Sequence, residues 1–186
     1  VDTIITIPND KILQIIDKKT SLLDAFKTVD DVLRQGIKGI SEAITIPGII
    51  IVDFADVKTI MDNAGSALMG IGEATGENRA VSAAKKAISS PLLDISIDGA
   101  RGVMFILTGG SNLTMNEVNE VGSIIADSVD ANAKIIFGTV IDDNMKDKVR
   151  VTVIATGFDD NRPITTRATS LEEPKYHVNR LFSKKN

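Results

Sequence analysis

The chain has 186 residues, 43% of them hydrophobic and 25% charged, with a formal net charge of −4. These values are typical of one globular domain, or one domain with part of another, and they argue against a basic nucleic-acid-binding surface. Without cysteine and with a single histidine, His177, the chain lacks the residues for disulfides, thiolate metal sites or a Ser-His-Asp triad, and no apolar run reaches membrane-spanning length.

A short strand and a short helix are the first predicted elements. Val1–Ile7 is rich in Ile and Thr, as strands are, and Asn9 is placed to cap a helix over Asp10–Asp17. Termini are usually loose and exposed, and a chain seldom begins within a buried strand. We therefore expect a fragment whose first half is missing.

A long amphipathic helix follows and is predicted to end at Pro47–Gly48. Ser21 or Thr20 caps it, with Asp24 completing a box-like arrangement. Gly36 and Gly39 each cost about 1 kcal/mol relative to Ala, which we interpret as allowing close approach of another backbone. Large apolar residues at intervals of three and four predict a core-facing stripe of Leu22, Phe26, Val29, Leu33, Ile37, Ile40 and Ile44.

Two carboxylates follow this helix. The segment Ile49–Val52 is apolar, and Asp53 and Asp56 stand three residues apart at the start of a helix predicted over Phe54–Asn63. One interpretation is an N-cap with a second acid favoured by the helix dipole. An exposed loop seldom carries such an apolar run, so we also expect a partner molecule to bury it. The two acids would then act on that partner's ligand by orienting a water or a hydrated cation.

The remaining sequence predicts an α/β fold with a mixed sheet of at least four strands covered by helices. Thr114 and Glu117 form a capping box, and the apolar strand Arg101–Thr108 is expected to be covered on both faces. The last two strands predict an antiparallel pair. Strands are predicted at Ser66–Ile71, Ile95–Ile97, Arg101–Thr108, Lys134–Ile141 and Val149–Thr156, with helices from Glu77 or Asn78 to Ser89 and from Thr114 to about Val129.

Three glycines, Gly70, Gly72 and Gly76, are predicted to lie between a strand and a helix. A dinucleotide-binding fingerprint is similar, but its last gap is one residue shorter. Simple turn geometry is therefore the favoured interpretation, and dinucleotide binding the lesser one.

Seven stretches of the sequence resemble FtsZ, the bacterial tubulin homologue. They are Ile7–Lys11, Asp24–Phe26, Val32–Gly36, Val52–Val57, Gly65–Gly72, Ala87–Leu93 and Val151–Phe158. The resemblance covers nearly all of residues 1–158. It implies the end of an N-terminal GTPase domain (1–19), a long core helix (20–47), the acidic loop and following helix (48–65), a C-terminal α/β domain (66–158) and a flexible tail (159–186).

The resemblance also implies a function, because FtsZ polymerises head to tail with GTP in the cytoplasmic cell-division ring. Asp53 and Asp56 would enter the GTP pocket of the adjacent subunit and polarise the attacking water. Phe26 and Asp30, which by spacing alone are a core aromatic and a solvated acid, would contact guanine in the subunit's own pocket. The implied ligands are GTP or GDP, with Mg²⁺ accompanying GTP.

The implied partners are other copies of the chain, an N-terminal GTPase domain and division proteins that bind the tail, without nucleic acid or direct membrane insertion. The alternative from another class is a non-catalytic assembly or filament-capping module. A cleft near Gly36, Gly39 and Thr152 resembles the place where inhibitors of the family bind.

Departures from the family pattern bear on activity. The Gly-rich phosphate loop is absent from this sequence, so we expect the chain alone neither to bind GTP well nor to hydrolyse it. Ile51 and Ile106 stand where the family usually has Asn, and Ile51 removes a polar contact at the shared site. Residues 178–182 resemble the family's partner-binding terminal peptide only faintly.

Overall fold

The computed structural model describes residues 1–7, 20–46, 49–93 and 96–158. The elements are β1 Thr3–Ile5, α1 Leu22–Thr45, α2 Phe54–Met61, β2 Gly65–Thr75, α3 Arg79–Ile88, β3 Gly102–Gly109, α4 Met115–Ala126, β4 Lys134–Ile141 and β5 Lys148–Thr156. The helix predicted at 10–17, the helix end at Pro47–Gly48 and the tail from 159 lie outside the described residues. None of the described helices is long and apolar enough to cross a membrane.

Five strands form one mixed sheet in the order β1-β2-β5-β3-β4, which confirms the predicted fold class. β1 is parallel to β2 and β3 is parallel to β4, whereas β5 is antiparallel to both of its neighbours. The prediction that β4 and β5 pair with each other is wrong, because β3 lies between them. The connecting segment passes the end of β3, where the Asp142 amide donates to the Gly109 carbonyl at 2.9 Å.

Helices cover both faces of the sheet. On one face the odd-numbered residues of β3 pack with α3 and α4, and on the other face the even-numbered residues pack with α1 and α2. All eight residues of β3 are buried, which confirms the prediction that its run is covered on both sides. The alternation follows from strand geometry, in which successive side chains point to opposite faces.

Gly70 and Gly72 lie inside β2, so the prediction that they form a turn is wrong. A Cβ atom at Gly70 would strike the carbonyl oxygen of Ala87, and one at Gly72 would strike that of Ala83. The two glycines therefore let the backbone of α3 lie directly on the sheet, which removes the basis for a dinucleotide-binding loop. Gly76 does turn the chain, with φ of +81°.

Another predicted strand is also absent from the described part of the chain. Ile97 opens a short 3-10 turn, Ile97–Gly99, rather than ending a strand, and Ile95 lies outside the described residues. A second 3-10 turn, Asp143–Met145, lies between β4 and β5.

A nearly buried ion pair joins α3 to α4. The Arg79 guanidinium, in a residue only 8% exposed, donates from Nε to Glu117 Oε1 at 2.7 Å and from Nη2 to the Asn112 carbonyl at 3.3 Å. Glu117 also accepts from the Thr114 amide at 2.9 Å, which confirms the predicted capping box. The hydrogen bond from Arg79 holds the pKa of Glu117 below its ordinary value.

We expect Gly72→Ala to lower the free energy of unfolding by about 3 kcal/mol, because the backbone of α3 cannot move away from a new methyl group. The matched control is Gly122→Ala in α4, where the nearest atom is Phe105 Cζ at 3.8 Å. That control should be neutral or stabilising by up to about 1 kcal/mol, as expected for Ala in a helix. Urea denaturation measures both, and equal effects would contradict this packing.

We expect Glu117→Gln to lower stability by about 2 kcal/mol at pH 7, since a nearly buried Arg79 loses its charged partner. The folded-state pKa of Glu117 is depressed, so its contribution is present above the ordinary carboxyl pKa and is lost as pH falls through the lower folded value. The difference in free energy of unfolding between wild type and Glu117→Gln should therefore narrow below about pH 4. Denaturation curves from pH 7 to pH 3 that show a constant gap would rule out an ionic contribution.

Candidate functional site

Asp53 and Asp56 lie on the exposed first turn of α2. Asp53 is the N-cap residue, and its carboxylate accepts a hydrogen bond from the Ala55 amide at 3.3 Å. The capping interpretation is therefore confirmed for Asp53. Capping occupies one oxygen in a single bond and leaves the rest of that carboxylate, and the whole of Asp56, facing solvent.

Exposed large apolar residues flank the two acids in the sequence. Ile51 is 64% exposed and Phe54 is 65% exposed, and Ile49 is also exposed, whereas Val52 is only 2% exposed. The chain's own fold therefore buries Val52 but leaves Ile49, Ile51 and Phe54 exposed beside the two acids in sequence, a group that we call the apolar rim. An exposed apolar cluster of this kind indicates a contact surface for another molecule.

The segment before Asp53 is held at the edge of β4. The Ile50 amide donates to Thr139 Oγ1 at 2.7 Å, and the Thr139 amide donates to the Ile50 carbonyl at 2.9 Å. Sequence reasoning missed Thr139, because no local pattern links two residues that lie 89 positions apart.

Only the C-terminal part of the predicted apolar stripe of α1 packs on the core, through Ile40 and Ile44, which are half-buried. Phe26 is 59% exposed, and Leu23, Leu33 and Ile37 are also exposed, so the core prediction is wrong for Phe26, Leu33 and Ile37. The fully buried residues of the helix are the small ones, Ala25, Gly36, Gly39 and Ala43, and Val32, Ile40 and Ile44 pack against the core beside them.

Small residues bring α1 close to the sheet. Gly36 lies against the side chain of Met69, and a Cβ at Gly39 would be 3.8 Å from the side chains of Ile106 and Thr152. The close approach predicted for the two glycines is therefore to side chains rather than to another backbone.

Phe26 and Asp30 lie one turn apart on α1, and both are exposed. At 1.5 Å per residue, the axial distance from Phe26 to the helix end at Thr45 is about 28 Å. Asp53 follows that end by a short segment. The structure thus separates the two predicted pairs of site residues, one at each end of the helix.

A cavity of about 370 Å³ lies between α1 and the segment after α3, lined by Val32, Gln35, Ile71 and Pro91 among others. Gly36, Gly39 and Thr152, the residues of the predicted inhibitor cleft, are not among its lining residues. Within the described residues, no cluster of three or more Asp, Glu or His side chains is suited to hold a metal ion.

Comparison with known proteins shows which family this architecture is similar to. The sequence profile of the FtsZ family C-terminal domain matches residues 65–159. An FtsZ dimer from M. jannaschii is 46% identical with a TM-score of 0.80, over 84% of this chain and 45% of that one. A point mutant of FtsZ from the same organism is 45% identical with a TM-score of 0.80, over 84% of this chain and 47% of that one.

A more distant structure shares the fold alone. CetZ2 from Haloferax volcanii, solved as a GTPγS-bound protofilament, is 15% identical with a TM-score of 0.66, over 83% of this chain and 46% of that one. The chain therefore spans a little under half the length of the solved chains it matches.

We expect Asp53→Ala to lower the free energy of unfolding by about 1 kcal/mol through loss of the N-cap. Asp53→Asn should cost only a few tenths, because Asn caps helices as well as Asp does. Urea denaturation compares the two, and an equal loss in both would mean that the charge, rather than the cap, stabilises this turn. The Asn variant removes the charge while preserving the fold.

Proposed function

The chain belongs to the FtsZ family, and we propose that it is the C-terminal half of a subunit that polymerises head to tail. On this proposal it supplies Asp53 and Asp56 to complete GTP hydrolysis on the adjacent subunit. The observation that carries the proposal is the exposed acidic turn within its apolar rim of Ile49, Ile51 and Phe54. The same proposal includes the five-unit division of the chain and GTP with Mg²⁺ as ligand. It also includes the tail-binding partners and a cytoplasmic location at the division site.

The distance between the two pairs of site residues supports a head-to-tail arrangement. Phe26 and Asp30 lie near one end of α1, and the acidic turn follows its other end. Phe26 is about 28 Å along α1 from Thr45, the end that the acidic turn follows, so we do not expect the two pairs to act on one nucleotide within one chain. They do meet at one nucleotide when the acidic end of one subunit contacts the Phe26 end of the next.

The acidic turn suits the chemistry of phosphoryl transfer to water. Such catalysis rests mainly on positioning and electrostatics, with a protein group that orients the attacking water. The carboxylates of Asp53 and Asp56 accept hydrogen bonds from that water and direct it toward the γ-phosphate of the neighbour's GTP. The apolar rim excludes bulk water as the subunits meet, which strengthens these electrostatic interactions.

The uncovered face of α1 suits an N-terminal GTPase domain as partner. Leu23, Leu33 and Ile37 provide apolar contact area, and Phe26 and Asp30 are on the same face. An exposed aromatic ring stacks on a purine, and a nearby carboxylate accepts its N–H groups. The chain alone is expected to remain inactive, because it carries no phosphate loop.

The exposed Ile51 favours a second candidate, a non-catalytic assembly or capping module. Its side chain is 64% exposed and lies two residues before Asp53. An apolar residue there adds contact area to the interface without providing a hydrogen bond to water. Such a module binds filament ends without stimulating hydrolysis.

We expect the chain to raise phosphate release when it is mixed with an N-terminal GTPase domain of the family and GTP. Asp53→Asn and Asp56→Asn should each reduce that stimulation by at least about tenfold, the lower range for a positioned acid or base. The matched control is Asp62→Asn, which removes the same charge at the exposed far end of α2. Equal stimulation by all four proteins would contradict the proposed role.

Sedimentation of the same mixtures separates the two candidates. If the chain binds the GTPase domain or shortens its filaments without raising phosphate release, the capping function is the correct one. Binding with stimulated phosphate release supports the catalytic function.

A further inference from the structure

We infer that Thr139 and Gly138 of β4 are positioning residues for the acidic turn: they hold Ile50–Val52 across the sheet edge and thereby set where Asp53 points. This inference rests on the function proposed above and extends it to residues far from Asp53 in sequence. We call the contact of Ile50 and Val52 with Thr139 and Gly138 the clamp.

Hydrogen bonds form the centre of the clamp. Thr139 Oγ1 accepts from the Ile50 amide at 2.7 Å, and the Thr139 amide donates back to the Ile50 carbonyl at 2.9 Å. Thr139 is only 1% exposed, so water cannot replace these partners without opening the structure. Both backbone polar groups of Ile50 are thus fixed by a single residue of the sheet.

Apolar side chains on either side of these bonds complete the clamp. Ile50 packs against the core shared with α3 and α4, whereas Val52 belongs to the core shared with α1 and α2. A regular strand would send residues i and i+2 to the same face. The segment instead wraps around the edge of β4, with one side chain in each layer.

Gly138 makes room for this wrapping. A Cβ atom at Gly138 would lie 2.5 Å from Val52 Cγ2, closer than any real contact. The side chain of Val52 therefore occupies the place where a residue at 138 would put its own. A larger residue at 138 would push Val52, and with it the start of α2, away from the sheet.

The clamp ends one residue before Asp53, and the next anchors are Val57 and Ile60 of α2, which are buried in the same core as Val52. Asp53 and Asp56 thus lie between two fixed points. Small displacements of a positioned group lower catalysis steeply even where the group itself is unchanged. The clamp accordingly controls turnover without touching the nucleotide.

The test compares wild type, Thr139→Val, Thr139→Ser and Gly138→Ala, each mixed with an N-terminal GTPase domain and GTP. Val has the shape of Thr but no hydroxyl acceptor, whereas Ser keeps the acceptor. We expect Thr139→Val to lower kcat about tenfold, the equivalent of one lost hydrogen bond, with KM for GTP unchanged because the GTPase domain holds the nucleotide. Gly138→Ala should lower kcat by a similar factor by displacing Val52, and Thr139→Ser should keep the wild-type kcat.

Amide hydrogen exchange of the chain alone provides an independent readout. In wild type the Ile50 amide should exchange at least about tenfold more slowly than the Ile51 amide, for which the described residues supply no acceptor. Thr139→Val should abolish that difference and Thr139→Ser should keep it. This measurement needs no nucleotide and no partner.

The two readouts separate failure of the inference from failure of the proposed function. If wild type stimulates hydrolysis and Thr139→Val stimulates equally, with KM and kcat unchanged, the inference is overturned. An unprotected Ile50 amide in wild type also overturns it, even if a variant fails to fold. A protected Ile50 in wild type without stimulated hydrolysis upholds the clamp and rejects the proposed function.

Discussion

Strand β5, the last of the described strands, joins the two halves of the sheet. It pairs with β2 from Leu68↔Ala155 to Thr75↔Lys148 and with β3 from Gly102↔Thr156 to Gly109↔Val149. Among the described strands, the β1-β2 pair and the β3-β4 pair have no other ladder between them. The strand that holds the acidic turn, β4, is therefore joined to the β1-β2 pair only through β3 and β5. Folding must close this long-range pairing before the two halves form one sheet.

Helix α1 links the sheet to a second, uncovered surface. Its small residues contact the sheet, whereas Phe26 and Ile37 are among its large apolar residues that are exposed. The acidic turn at the far end of the helix is also exposed, with Ile51 and Phe54 around it. One chain thus presents two apolar surfaces, each beside carboxylate groups. Exposed apolar patches mark contact surfaces, and on the proposed function one contacts a GTPase domain and the other a neighbouring subunit.

Local signals in the sequence predicted local structure well. The capping box that begins at Thr114 and the exposed turn of α2 follow from contacts within a few residues, and the alternation of predicted strands and helices indicated the fold class. Predictions failed where distant elements decide the outcome. Gly70 and Gly72 lie within a continuous strand because α3 packs directly on them. The strand that pairs with β4 is β3 rather than β5, because β3 is the strand buried on both faces. Thr139 carries no local signal at all, because its role depends on a contact with Ile50 across the fold.

Protection of the acidic turn by a GTPase domain tests the account most directly. The chain contains no cysteine, so Ile51→Cys creates a single thiol beside Asp53, and Glu120→Cys on the exposed face of α4 is the control. The account predicts that thiol labelling at 51 slows several-fold when a GTP-bound N-terminal GTPase domain is added, while labelling at 120 is unchanged. Equal labelling of position 51 with and without that domain would contradict it.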